Sequence, residues 1–176
     1  KKSKLFMYKI ESRLDMVPNK FDELFQSKDT VYIFDVDGVL ARIEYGEYNH
    51  YYYDDEAWGK NIYKMNYYED YRAIKTMQNF LSDKDMKRVY VCTKVMNEEE
   101  FRQKSDFLEK NYHIQKEHMY LVYKNEDKLE TIKQIQKEYP NLEEKYFVLI
   151  DDSVDVLNHV MENSNFSTVH NSSFLP

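Results

Sequence analysis

Two hydrophobic patterns alternate along this chain. Short uninterrupted apolar runs, rich in β-branched and aromatic residues, are typical of buried parallel strands. Between them lie longer stretches with apolar residues three or four positions apart, which indicate amphipathic helices. The predicted strands are 31–34, 88–92, 119–123, 146–150 and a weaker one at 166–170. The predicted helices are 69–82, 98–112, 127–139 and 153–162.

The predicted helices also carry signals for their ends and their buried faces. Asn97 and Glu100 are spaced as a capping box, Ser153 stands where an N-cap is expected, and Pro140 follows 127–139 as a stop. Each helix has an apolar stripe that predicts the side facing the sheet. The stripes are Ala73, Ile74, Met77, Phe80 and Leu81; Phe101, Leu108 and Tyr112; Leu129, Ile132 and Ile135; and Val156, Leu157, Val160 and Met161.

Alternation of strands and helices predicts an α/β fold: a Rossmann-like three-layer sandwich, with a mainly parallel five-stranded sheet and helices on both faces. We expect residues 1–28 to form a helical N-terminal preface or linker, with a short helix at 4–14 and one or two further turns at 20–26. Pro18 interrupts the helical pattern between them. We expect one domain over residues 29–176, a normal length for a single core.

The strand ends are the places to look for a site, because ligands of such sheets bind beyond the carboxyl ends of the strands. Four of the predicted strands end in polar residues that could bind or react. These are Asp35, Asp37 and Gly38; Thr93 and Lys94; Lys124 and Asn125, with Lys128 at the next helix start; and Asp151, Asp152 and Ser153.

Taken singly, most of these residues have a structural explanation. A lone aspartate after a strand usually caps a helix or shapes a turn, and a lone lysine is usually solvated. Asp151 and Asp152 are harder to explain, because adjacent carboxylates repel unless a cation is near. A calcium loop starting at Asp35 is excluded, since Leu40 and Gly46 occupy the positions that need Gly and Glu. The histidines are scattered, so no zinc spacing is present.

The order of the strand ends resembles the four motifs of the haloacid dehalogenase (HAD) superfamily of phosphohydrolases. The first motif is FDVDGVL at 34–40, and the second is the apolar strand ending at Thr93. The third is a lysine at a helix start, and the fourth is LIDDS at 149–153. The first and fourth motifs are the specific ones. The resemblance spans about residues 30–170, and it implies that residues 29–176 form a HAD-like catalytic domain.

The resemblance implies catalytic roles for four positions. Asp35 would attack phosphorus and become an aspartyl phosphate, and Asp37 would protonate the leaving oxygen and then activate water. Thr93 would hydrogen-bond the phosphoryl oxygens. Lys128, with Lys124 as the alternative, would offset the negative charge. Chemistry agrees, because a carboxylate approaches a phosphate dianion only where cations offset the charge.

The resemblance also implies magnesium as cofactor. Asp35, the backbone carbonyl of Asp37, and Asp152 would hold the ion, and Asp151 would bind it through water or orient the lysine. Larger family members carry a glycine before the fourth-motif aspartate, whereas this chain has the paired form with Asp155 three residues on. The division of roles between Asp151 and Asp152 therefore stays open. Magnesium prefers oxygen ligands and keeps several waters, so two or three carboxylates suffice.

The spacing between motifs predicts a capless or minimally capped member. Roughly residues 41–66 remain after the predicted elements are placed, which is too few for a full cap domain. Residues 45–71 contain nine tyrosines and Trp58. These aromatic residues would cover sheet edges or dimer contacts. Alternatively, they form a lid that stacks a base or sugar over the phosphate.

Composition narrows the classes of partner. A net charge of −7, from 25 basic and 32 acidic residues, disfavours a nucleic-acid groove. No run approaches the roughly 18 apolar residues of a membrane span, and residues 1–10 lack the apolar core of a signal peptide. The single cysteine, Cys92, lies in an apolar run and is expected to be a buried, reduced thiol. We therefore expect a cytoplasmic protein with no membrane partner.

Two classes of function follow from these observations. The first is a magnesium-dependent phosphatase that acts on a small phosphomonoester such as a nucleotide, or on a phosphoprotein or nucleic-acid end. Within the family, Asp37 favours phosphate esters over carbon–halogen bonds and phosphonates. The second is a non-enzymatic HAD-like binding module of a larger protein. A phospho-receiver domain is excluded, because receivers place the paired acids after the first strand. The oligomeric state is not indicated.

Overall fold

The fold is built on one five-stranded sheet in which every neighbouring pair of strands is parallel. A computed structural model describes residues 20–42 and 55–175. The order across the sheet is β5-β4-β1-β6-β7, and β2 and β3 form a separate antiparallel pair. The strands are β1 (Val31–Phe34), β2 (Ala41–Arg42), β3 (Arg72–Ala73), β4 (Val89–Lys94), β5 (Met119–Val122), β6 (Phe147–Asp151) and β7 (Ser167–His170).

Seven α-helices lie within the described residues, together with short 3₁₀ turns. The helices are α1 (Lys20–Gln26), α2 (Asp55–Asn61), α3 (Tyr67–Asp70), α4 (Lys75–Leu81), α5 (Glu98–Tyr112), α6 (Lys128–Gln136) and α7 (Val154–Asn163). The chain leaves β1 for β4 and β5 on one side and then returns to β6 and β7 on the other. The topological switch point therefore lies at β1, which is where such sheets form their ligand sites.

Alternate residues of the strands pack into two separate hydrophobic cores, one on each face of the sheet. Val31 and Ile33 of β1 pack with the apolar faces of α6 and α7. Tyr32 and Phe34 pack on the opposite face with α1, α4 and α5. This alternation follows from the two-residue period of a strand. It confirms the predicted α/β three-layer fold.

Element boundaries agree with the prediction to within a few residues, and one shift matters for the site. The second predicted strand, 88–92, is observed as β4, so Thr93 lies inside the strand and not just after it. The predicted helix 127–139 is observed as α6 and ends earlier, at Gln136. The predicted helix 98–112 has the same bounds as α5.

The predicted helix at 69–82 is confirmed over its second half and wrong over its first half. The chain forms α3, turns into β3, and starts α4 only at Lys75. Tyr71 is extended at the end of α3, and Ala73 pairs with Ala41 of β2. The amide of Ile74 then donates to the Leu40 carbonyl oxygen at 3.3 Å. Pairing with a distant strand has overridden the local helical pattern.

The capping predictions are confirmed for two N-caps and corrected for one reciprocal contact. The Asn97 side chain accepts from the Glu100 amide at 3.0 Å, and the Ser153 hydroxyl accepts from the Val156 amide at 3.4 Å. The Glu100 carboxylate does not reach back to the Asn97 amide, because it accepts from Trp58 and from the Met96 amide instead. The predicted stripe of α7 is also wrong at its last member, Met161, which is 56% exposed.

Outside the sheet, α1 coincides with the turns expected at 20–26, whereas the helix expected at 4–14 lies outside the described residues. Cys92 is fully buried in β4, as predicted, and burial raises the pKa of its thiol to about 12. Between residues 20 and 42 and between 55 and 175, no helix has the length and hydrophobicity needed to cross a membrane.

Candidate active site

The carboxyl ends of β1, β4 and β6 surround a cavity of about 220 Å³. Asp35 and Asp37 follow β1, and Asp151 and Asp152 lie at the end of β6. Lys128, at the start of α6, reaches the same cavity. The parallel register brings the two acidic segments together, because Phe34 lies opposite Ile150 and the Asp35 amide donates to the Ile150 carbonyl at 2.9 Å.

Lys128 is the lysine that contacts the acidic residues. Its buried ammonium lies 3.1 Å from Asp35 Oδ1 and 2.7 Å from Asp151 Oδ2. The other oxygen of Asp151 accepts from the Ser153 amide at 2.9 Å. Lys124, the alternative weighed from the sequence, is exposed. Lys128 is therefore placed to stabilise negative charge on Asp35, and Asp151 holds the lysine in position.

The acidic cluster formed by Asp35, Asp151 and Asp152 has more negative charge than the neighbouring lysines balance. Burial, with a smaller contribution from Asp151, raises the pKa of Asp35 to about 7 against the opposing effect of Lys128. Burial also raises the pKa of Asp152, and Asp151 adds to that increase. For Lys128, burial lowers the pKa, but the carboxylates of Asp35 and Asp151 outweigh it and the net shift is upward. Lys128 contacts two of the three acids, and the Lys104 ammonium acts on Asp35 without contacting it.

Asp35, Asp151 and Asp152 are arranged so that a metal ion fits among them. One carboxylate oxygen from each lies within 4.8 Å of the others. Oxygen donors of this kind suit Mg²⁺, and the unbalanced charge favours a cation. Both oxygens of Asp151 are already engaged by Lys128 and by the Ser153 amide. Asp35 and Asp152 are therefore the better placed direct ligands.

Gly38 allows Asp152 to approach the end of β1. Its backbone has φ +74°, in the left-handed region that residues other than glycine rarely adopt. A Cβ atom at this position would lie 2.6 Å from Asp152 Oδ2, which is far inside normal contact distance. The DVDG segment therefore needs glycine at this position, because a side chain there would collide with Asp152.

Asp37 faces a different set of partners. Its Oδ2 lies 2.9 Å from the Lys104 ammonium, and its Oδ1 accepts from the Tyr68 hydroxyl at 2.6 Å. Lys104 also donates to Thr93 Oγ1 at 3.0 Å. Lys104 thus links the Asp37 carboxylate, which lines the cavity, to Thr93, which is buried behind the cavity wall. Any contribution of Asp37 to a metal would come from its backbone carbonyl, as the resemblance implies.

Lys104 and Glu100 were missed from the sequence, although a signal was present. Both are almost fully buried on α5, four residues apart, and they continue the line of Leu108 and Tyr112. Two charged residues in the apolar stripe of a helix are unusual unless they serve a site. For Lys104, burial lowers the pKa, but Asp37 and Glu100 raise it more, so the amine stays protonated.

The C-terminal segment, also missed, ties together the two acidic loops. Asn171 donates through Nδ2 to the Gly38 carbonyl oxygen at 2.7 Å. His170 Nε2 lies 3.1 Å from the Asp152 carbonyl oxygen. Phe174 then anchors the segment against Phe25 and Phe80. No pattern near the motifs indicates these contacts, because they join residues that are far apart in sequence.

The aromatic segment is divided between described and undescribed residues. Trp58 stacks on Tyr67 with ring centroids 4.3 Å apart, and Tyr67 and Tyr68 are buried, which supports packing for these members. Tyr63 is 67% exposed. Tyr71 packs edge-on against Tyr68, and the remaining five tyrosines, at 45, 48, 51, 52 and 53, lie outside the described residues. The lid hypothesis concerns mainly these and stays a prediction.

Comparison with protein-family models and with curated proteins gave no match to this sequence. The HAD resemblance therefore stays an expectation that depends on the motifs and on the geometry of the strand ends.

Proposed function

We propose that this chain is a magnesium-dependent phosphatase of the HAD type, which hydrolyses phosphate monoesters through an aspartyl phosphate on Asp35. The observation that carries the proposal is the buried Lys128 ammonium, which lines the cavity and lies 3.1 Å from Asp35 and 2.7 Å from Asp151. A buried lysine that pairs with two carboxylates at the topological switch point of a parallel sheet is typical of a functional site.

In the first step, a carboxylate oxygen of Asp35 attacks phosphorus and the bond from phosphorus to the ester oxygen breaks. Lys128 offsets the charge of the incoming dianion. The Thr93 hydroxyl, which donates to the Lys94 carbonyl oxygen at 3.3 Å, would turn its hydrogen to a phosphoryl oxygen in this step. Asp37, which lines the same cavity, enters this step as the carboxylic acid and gives its proton to the leaving oxygen.

In the second step, water attacks phosphorus and the bond to Asp35 breaks, which releases inorganic phosphate. Asp37 now lacks the proton that it gave away, so it can take one from the attacking water. Asp35 regains its carboxylate, and the site returns to its starting state. The two contacts that hold the Asp37 carboxylate, from Lys104 and Tyr68, keep it in place for both steps.

A magnesium ion held by Asp35 and Asp152 would supply further positive charge to the phosphoryl oxygens. Asp151 would support it indirectly, since its own oxygens are bonded to Lys128 and the Ser153 amide. This assignment favours Asp152 over Asp151 as a direct ligand.

The test is hydrolysis of p-nitrophenyl phosphate and of a panel of nucleoside monophosphates, sugar phosphates and a phosphopeptide, with and without magnesium. We expect magnesium-dependent turnover that is abolished in Asp35→Asn. Beryllofluoride, which mimics the aspartyl phosphate, should raise the unfolding temperature only with magnesium present and only when Asp35 is intact. Failure of both measurements would favour a binding module without catalysis.

A further inference from the structure

Lys104 places its ammonium among three acceptors on two separate strand ends. Nζ lies 2.9 Å from Asp37 Oδ2, 3.0 Å from Thr93 Oγ1 and 2.8 Å from the Lys94 carbonyl oxygen. A lysine has three N–H donors, so all of them are used. None is left for a phosphate, which separates Lys104 from Lys128 in what it can do.

The burial of Lys104 needs an explanation. The side chain is 1% exposed, and its balancing charges are Asp37 and, at 4.0 Å, Glu100. Buried ion pairs seldom stabilise a fold more than apolar residues of similar volume would. The two side chains that accept hydrogen bonds from Lys104 are, however, those of Asp37 and Thr93, and the proposed reaction assigns a role to each. Function explains the arrangement better than stability does.

We propose that Lys104 is a positioning residue that holds the acid–base group Asp37 and the phosphate-binding group Thr93 in fixed relation to each other. This inference rests on the proposed function. Because Lys104 donates to the Thr93 oxygen, the Thr93 hydroxyl hydrogen is directed away from the ammonium, and it donates to the Lys94 carbonyl oxygen at 3.3 Å. With Tyr68 on the other oxygen at 2.6 Å, the Asp37 carboxylate is held at both ends.

Glu100 extends the network to the wall of the cavity. Its carboxylate accepts from the Trp58 indole N–H and, at 2.8 Å, from the Met96 amide. Trp58 and Met96 both line the cavity. Glu100 therefore fixes α2 and the loop after β4 around Lys104, so the same network shapes the site and positions its acid–base group.

The variant Lys104→Met removes the ammonium and keeps much of the side-chain volume. Displacement of Asp37 should slow the release of poor leaving groups most, because these need a proton in the transition state. Phenyl phosphate and p-nitrophenyl phosphate share a ring and differ in leaving-group acidity. We expect kcat to fall about 100-fold for phenyl phosphate, and much less for p-nitrophenyl phosphate. The matched control is Lys110→Met, an exposed position on the same helix, which should match wild type.

The beryllofluoride and magnesium shift in unfolding temperature should persist in Lys104→Met, since Asp35 and Lys128 are unchanged. If Lys104→Met folds poorly, Lys104→Met/Glu100→Gln also removes the unpaired buried carboxylate and is assessed in the same way. An equal loss for both esters, or kinetics like those of Lys110→Met, overturns the positioning role. A wild-type protein that hydrolyses neither ester and shows no beryllofluoride shift instead refutes the proposed phosphatase.

Discussion

Replacement of Lys128 by Met should make the stability of this protein depend more strongly on magnesium than that of wild type. The change removes the ammonium 3.1 Å from Asp35 and 2.7 Å from Asp151, and Asp151 is fully buried. Removing one partner of a buried ion pair typically lowers the free energy of unfolding by about 3–5 kcal/mol. For a chain of this length, that corresponds to a fall of roughly 6–20 °C in unfolding temperature.

The assay is urea or thermal unfolding of wild type and Lys128→Met, first in EDTA and then in magnesium. Lys133→Met is the matched control, because Lys133 lies on the same helix but pairs with Glu130 at an exposed site. Such a pair contributes about 0–1 kcal/mol. Magnesium should restore part of the stability lost in Lys128→Met, since a divalent cation replaces the missing charge. If Lys128→Met is as stable as Lys133→Met in EDTA, Lys128 does not balance the acidic cluster.

Three further predictions concern the same cluster. Because burial raises the pKa of Asp35 to about 7, the folded state holds that proton more tightly than the unfolded state does. In EDTA, wild type should therefore lose free energy of unfolding relative to Asp35→Asn as pH rises from about 4 to about 7; parallel urea-denaturation profiles would contradict this. Gly38→Ala should weaken magnesium binding about tenfold or more, measured by calorimetry, because its Cβ would displace Asp152; wild-type affinity would refute the steric reason. Asn171→Ala should lower the free energy of unfolding by about 1 kcal/mol, since the Gly38 carbonyl loses its donor; unchanged urea unfolding would show that the contact is dispensable.

Sequence patterns predict the elements whose signals are local. Helix α5 has its predicted bounds, because its N-cap, Asn97, comes just before it and its apolar stripe lies within it. The predicted helix 69–82 is wrong in its first half, because β3 pairs there with β2, about 30 residues away. Local propensity is a weak signal where a distant strand competes for the same backbone.

The candidate site is predictable as far as the parallel topology determines it. Strand ends of a parallel sheet meet at one edge, so the strand pattern is enough to group Asp35, Thr93 and Asp151. The choice of Lys128 over Lys124 needs the geometry, because both lysines lie close to the start of α6. That choice depends on which side chain turns inward to the carboxylates.

The supporting residues cannot be found from the motifs. Lys104 contacts Asp37 across more than 60 positions, and Asn171 contacts Gly38 across more than 130. Contacts of this kind depend on how α5 and the end of β7 pack onto the sheet. Lys104 has one usable signal, its place beside Glu100 within an apolar stripe, whereas Asn171 has none.

The central claim, that Asp35 carries the phosphoryl group, is tested most directly by acid quenching during turnover. Protein mixed with p-nitrophenyl phosphate and magnesium is quenched, digested and examined by mass spectrometry. We predict one phosphoryl group on the peptide that contains Asp35, labile to hydroxylamine and absent from Asp35→Asn. Turnover without any such label on Asp35, or undiminished turnover in Asp35→Asn, would contradict the account.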